Sequence, residues 1–418
     1  MRKLALLFAG AFTVLQFVSN VGYANSTWSG AANNNFNNAG NWSSGGVPIT
    51  GNGSENLILT FGTESGGSPD YTVLLNQGKS SGGVTQQNVA FFNITGGSGY
   101  TFNALNSNYS YITNGLANDG RTIVNSSGSL VTFNVAISQN SNSGFDENIW
   151  DAGTGGLLFN ETVSFANKAK NLSLEGGEFN FDGGVSIANT TGSSTIVYAS
   201  DDSTVYISGT LGIQGGNAGL HGVGVRGGTM LLDGPSGVDL IQDSDNDARG
   251  TRLQLEGGTF GFTAEDSNVR QASFLRALTL TTDSVVQFGD DVGGGEISFV
   301  DTNSASSSIS ENLLITNWNG TMNTGGGTDQ FIFAQLENQG STVSVGNHFT
   351  NITFSLDGMI WSSKIIASPT YPGMMEIVPG YVILPEPSTY AMGGVLVGAL
   401  GFIEWRRRKQ LVRKRTAE

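Results

Sequence analysis

The chain has 418 residues and no cysteine. Its length allows one long domain or a few ordinary ones, and disulfides, thiol chemistry and thiolate metal sites are excluded. The formal charge of −15 understates the middle: two of the 19 cationic residues are Arg2 and Lys3 and seven lie beyond residue 405, so residues 25–387 hold ten cations against 32 carboxylates, a charge of −22. Such a chain repels nucleic acid and anionic lipid, so nucleic-acid binding is set aside; it suits a solvated extracellular protein or a binder of cations.

Arg2 and Lys3 form a basic start, Leu4 to Val18 an apolar core, and Gly22-Tyr23-Ala24 supplies the small residues a signal peptidase requires. The apolar run is short for a membrane span. This pattern predicts a signal peptide over 1–24, cleavage after Ala24 and a mature chain from Asn25. Beyond it, 61 glycines, only eight prolines and 38% apolar residues describe many short strands joined by tight turns rather than a disordered linker.

Apolar residues alternate with period two in "VSFANKAKNLSLEGG" (163–177), "STVYISG" (203–209), "LTLTTDSVVQFGD" (278–290) and "QFIFAQL" (330–336). Before the C-terminal segment the nearest helical pattern is "EDSNVRQASFLRALTL" (265–280), read as a single turn or short helix at most. The chain also echoes itself. "LSLEGGEFNF" at 172–181 matches "LQLEGGTFGF" at 253–262, with weaker relatives in "ITGGSGYTF" (94–102) and "VRGGTMLLDG" (225–234). Each reads as strand, Gly-Gly turn, strand, the glycines permitting the left-handed angles of a tight corner. A repeated unit that cannot bury its own apolar face predicts stacked rungs; hairpins in a β-sandwich are the alternative.

Catalytic constellations are sparse. His221 and His348 are the only histidines, which excludes a multi-His metal site, and each reads as a turn or packing residue. Asp243, Asp245 and Asp247 in "DSDND" are the best metal candidate, able to present oxygens to calcium. Ala248 and Gln254 break the EF-hand pattern, so a solvated acidic loop competes, and no cofactor is required. "GDDVGGGE" (289–296) is weaker still. Neighbouring acids such as Asp201 and Asp202, or Asp290 and Asp291, are expected on opposite faces of a strand, which disfavours them as catalytic pairs.

Near the end, Tyr390 to Ile403 is largely apolar, and Arg406, Arg407, Arg408 and Lys409 follow at once. The run is marginal for a bilayer span, approaches one if extended from Pro387 to Trp405, and the cations predict a cytoplasmic tail. The order Pro385-Glu386-Pro387-Ser388, apolar stretch, arginine cluster resembles the PEP-CTERM sorting signal of Gram-negative bacteria. "TWSGAANNNFNNAGNWSSGGVP" (27–48) resembles the opening of exported proteins with autotransporter-associated β-strand repeats. "LLITNWNGTMNTGGGTDQFIF" (313–333), with Trp318, Gly325-Gly326-Gly327 and Asp329, resembles their closing module. The resemblance implies that an exosortase-type enzyme recognises Pro385, Glu386 and Pro387 and removes the tail. It also implies a right-handed parallel β-helix passenger and an association with exopolysaccharide.

The expectation is therefore all-β: a signal peptide (1–24), a right-handed parallel β-helix or solenoid passenger (25–380), a sorting signal with a transmembrane helix (381–409) and a basic cytoplasmic tail (410–418). The expected partners are signal peptidase, an exosortase-type processing enzyme, the inner membrane before processing, and exopolysaccharide at the cell surface or in the matrix. A polysaccharide lyase or hydrolase on the same scaffold is the alternative to a structural protein.

Overall fold

The computed structural model describes residues 24–48, 57–64, 71–76, 79–81, 84–89, 91–107, 109–113, 120–139, 147–166, 171–188, 195–214, 221–234, 239–243, 251–263, 269–274, 278–289, 294–300, 307–338 and 341–383. Nearly all regular structure there is strand; the exception is the 3-10 turn Ala39–Asn41. Three short strands make one coil, and each pairs in parallel with its equivalent in the next coil. Phe91–Ile94, Thr101–Ala104 and Tyr109–Thr113 form the first of about six regular coils, and His221–Arg226, Thr229–Leu232 and Ile241–Asp243 the last. The result is a β-solenoid of three parallel sheets around one core. In the C-terminal coils, Thr251–Phe262 and Leu278–Gln287 each run through the first sheet and on into the second.

Alternation decides what fills the core. In the second sheet Phe102, Phe133, Phe159 and Phe181 occupy one column, and consecutive rings stack at 4.7, 5.2 and 4.9 Å. Phe274, Phe299 and Phe333 repeat the arrangement in the third sheet, at 5.3 and 4.9 Å. Each stacked pair adds roughly 0.5–1.5 kcal/mol beyond area burial. Outside, Asn134 donates to Asn103 (2.8 Å) and Asn160 to Asn134 (2.6 Å), a polar ladder back to back with the phenylalanines.

The internal echo marks a corner. Leu172, Val197, Val223 and Leu253 stand in register, so the two matching segments lie three coils apart with their Gly-Gly pairs at the same edge between the first and second sheets. Coils approach there more closely than a side chain allows. A Cβ on Gly177 would lie 2.1 Å from the Gly153 carbonyl oxygen, and one on Gly258 (φ +91°) 2.1 Å from that of Gly228. Close approach and left-handed angles together explain the glycines.

Two expectations change. Residues 269–274 of the helical candidate form the strand Val269–Phe274, with Ala272 and Phe274 in the core; pairing with Gly294–Phe299 overrides the local spacing. Asp201 and Asp202 do not lie on a strand: both are exposed in the turn after Thr195–Ser200, at φ 46° and 61°.

Both ends of the coil are closed. At the start, residues 27–48 fold back so that Trp28, Phe36 and Trp42 cover the core, with Trp42 edge-on to both others at 5.0 Å. Buried Asn41 holds this loop by accepting from the Ala32 and Asn33 amides (2.8 and 3.0 Å) and donating to the Asn35 carbonyl. At the far end, His348–Leu356, Met359–Ala367 and Met375–Val382 turn antiparallel and join the second sheet to Gln330–Phe333 of the third. Covered edges of this kind prevent end-to-end strand pairing.

Candidate functional site

Of the residues singled out in the sequence, Ala24 opens the strand Ala24–Trp28, which pairs with Leu57–Phe61. Asp243 ends the strand Ile241–Asp243, whereas Asp245 and Asp247 lie outside the described residues. Among the described residues no three His, Asp or Glu side chains are grouped to hold a metal ion. Pro385, Glu386, Pro387, Arg406, Arg407, Arg408, Lys409 and the expected C-terminal helix also lie outside the described residues. His221 is buried at the start of its strand, and neither ring nitrogen has a hydrogen-bond partner. Burial, then the nearby Arg252, pushes its pKa down, so the ring is neutral at pH 7. The Nδ1 of His348 lies 3.1 Å from the Ser363 carbonyl, a packing role.

A first polar cluster lies on the outer side of the first sheet. Arg226 donates to Glu147 and Glu256, both at 2.8 Å, and its guanidinium sits 4.1 Å from the centre of the Tyr198 ring. The Tyr198 hydroxyl donates to Glu256 at 3.3 Å. Burial, then Glu256, pushes the Tyr198 pKa up to about 12. Along the same shoulder Asp151 pairs in register with Glu175. Partial burial, then Asp201 and Asp151, raises the Glu175 pKa. A carboxyl whose pKa is raised beside further carboxyls is the raw material of acid–base chemistry.

A second cluster clips the C-terminal cap to the coil. Both Glu376 oxygens accept from the Gly326 amide at 3.0 Å, and Tyr371 donates to Glu296 at 2.8 and 2.9 Å. Glu376 is fully buried. Its pKa is raised by burial first and by Glu296, against the Gly326 amide.

An open cleft lies at the ends of Leu313–Thr316 and His348–Leu356. It has a volume of about 370 Å³ and is lined by Asn317, Trp318, Asn319, Gly320, Ser355 and Asp357, among others. Buried Asp329 holds the wall, accepting from the Gly295 amide at 2.7 Å and from the Asn319 amide. Trp318 packs edge-on against Phe354 at 5.5 Å, and its indole N–H is buried without a partner. Gly320 has to be glycine, because a Cβ there would sit 2.3 Å from the indole Cζ2. Asp357 and Gly358 (φ 50° and 73°) form the two-residue turn between Leu356 and Met359, a conformation that Asp-Gly favours. The exposed side chains of Asn317, Asn319 and Asp357 therefore stand on fixed backbone. Trp318 is only 5% exposed, so what the cleft offers a ligand is chiefly the amide and carboxylate groups of Asn317, Asn319 and Asp357, which suit a hydroxyl-rich molecule such as a sugar.

The sequence had marked Trp318 and Asp329, but not Ser355 and Asp357 beside them. The Asp-Gly pair between alternating apolar residues was a usable hairpin signal for the latter. Nothing local signalled Arg226 with Glu147, 79 residues apart. No protein-family model, curated protein or solved structure matches the chain.

Proposed function

We propose that this chain is an exported, non-enzymatic structural protein of the cell surface or extracellular matrix, and that it holds exopolysaccharide. The cleft at Trp318 carries this reading, since it offers exposed amide and carboxylate groups on a rigid, closed solenoid. The coil is taken as right-handed, the preferred hand of parallel crossovers. Signal peptidase removes 1–24, the inner membrane holds the apolar tail, and an exosortase-type enzyme processes it at Pro385-Glu386-Pro387. No cofactor is needed, and calcium at Asp243, Asp245 and Asp247 is a subordinate proposal.

The test is co-sedimentation of the mature chain with exopolymer from the source cells, with newly formed chain ends scored in the same tubes. Asn317→Gly and Asp357→Asn keep the backbone angles and remove ligand contacts. Each is expected to weaken binding roughly three- to tenfold, one hydrogen bond of about 0.5–1.5 kcal/mol, without lowering Tm. Unchanged binding in both variants overturns the assignment to this cleft.

A polysaccharide lyase or hydrolase is the second reading, favoured by Glu175 with its raised pKa beside Asp151 and Asp201. New chain ends, lost in Glu175→Gln, would establish it and displace the first.

A further inference from the structure

Half of the exposed large apolar side chains among the described residues gather at one end of the C-terminal cap. Met359, Ile360, Tyr381 and Ile383 are 46, 41, 55 and 41% exposed. Three of them form one patch by pairing: Trp361 is opposite Val382, which sets Ile360 across from Ile383, and the Ile383 amide donates to the Ile360 carbonyl at 2.8 Å; Met359, paired with Leu356, lies on the other face. Tyr381 and Ile383 share a face by strand alternation. Water gains nothing from such a patch, and neither the coil nor the cap covers it.

The sequence beyond Ile383 indicates what lies opposite. Six residues, 384–389, separate it from the apolar run that begins at Tyr390. Fully extended they span about 20 Å, so a bilayer holding that run lies within reach of the patch. Tyrosine beside two isoleucines is suited to the headgroup boundary, where an apolar body and a polar tip are both accommodated. The acidic passenger would not seek a membrane unaided, so the tether is required. We propose that the cap face of Ile360, Tyr381 and Ile383 rests on the lipid surface while the tail is membrane-held. It thereby fixes the orientation in which Pro385-Glu386-Pro387 is presented. This inference depends on the tail being a membrane segment, as proposed above.

Because the chain has no cysteine, a single engineered thiol can be labelled cleanly. Ile360→Cys, Tyr381→Cys, Val395→Cys and, on a distant coil, Ser138→Cys would each carry a fluorophore in the full chain, reconstituted into brominated phosphatidylcholine vesicles. Quenching at 360, 381 and 395 with none at 138 is the expected result. Quenching at 395 alone overturns the proposal and leaves the membrane tail intact. No quenching at 395 overturns the tail reading and this proposal together. If 395 alone is quenched and Tyr381→Ser slows removal of the tail in cells, the face belongs to the processing enzyme instead.

Discussion

Glu376 shows how one buried side chain can link acidity to the closing of a coil. Burial raises its pKa, so folding favours the protonated form. Its contribution is complete below the ordinary glutamate range and is lost as pH rises through the raised folded value. Stability of the cap should therefore decline as pH rises. Glu376→Gln, which stays neutral beside Gly326 and Glu296, should flatten that decline; denaturant midpoints taken across a pH series measure both. Phe133 makes a different case. It is fully buried, with a ring stacked on each side. Phe133→Ala should cost about 3–5 kcal/mol in urea unfolding. Gly258→Ala should cost more than about 1 kcal/mol, since the alanine meets both a left-handed angle and the Gly228 carbonyl.

At the scale of elements, the opening loop is a lid held by one side chain. Asn41 satisfies two backbone amides and one carbonyl. Asn41→Ala leaves those groups unpaired in a buried place, a loss of about 1–3 kcal/mol. With the lid loosened, Trp28 and Trp42 and the edge of the Ala24–Trp28 strand become available. Sedimentation velocity should then show more concentration-dependent association than in the parent chain. A merely local defect would lower stability without changing the sedimentation.

For the whole molecule, twelve strands of the first sheet spaced about 4.8 Å apart give a coil roughly 50 Å long before the caps are added. Small-angle scattering should report an elongated body, and a near-spherical profile would contradict the stacked arrangement. Strand pairing joins each coil only to its neighbours, so stability is to first order a sum of local and nearest-neighbour terms, with the Arg226–Glu147 and Tyr198–Glu256 bonds reaching two or three coils. Hydrogen exchange in Phe133→Ala should therefore rise most in strands 101–104, 131–134 and 157–159 and fade with distance along the coil.

The sequence by itself determined the strand-rich class, the apolar alternation and the corner role of "LEGG". Those depend on period-two patterning and on glycine's freedom, both local properties. Trp318 and Asp329 were marked there only by the resemblance of residues 313–333 to the closing module of exported β-repeat proteins. Only the tertiary structure decided that the matching segments lie three coils apart, that residues 269–274 are a strand, and that Asp201 and Asp202 occupy a turn. It alone brought Asp357 to Asn317, Arg226 to Glu147 and Glu376 to Gly326. The physical reason is the coil itself. Parallel stacking joins residues one or more turns apart, and turn lengths vary: Phe92 pairs with Ile123 but Trp150 with Leu174. No fixed spacing in the chain announces which side chains will meet.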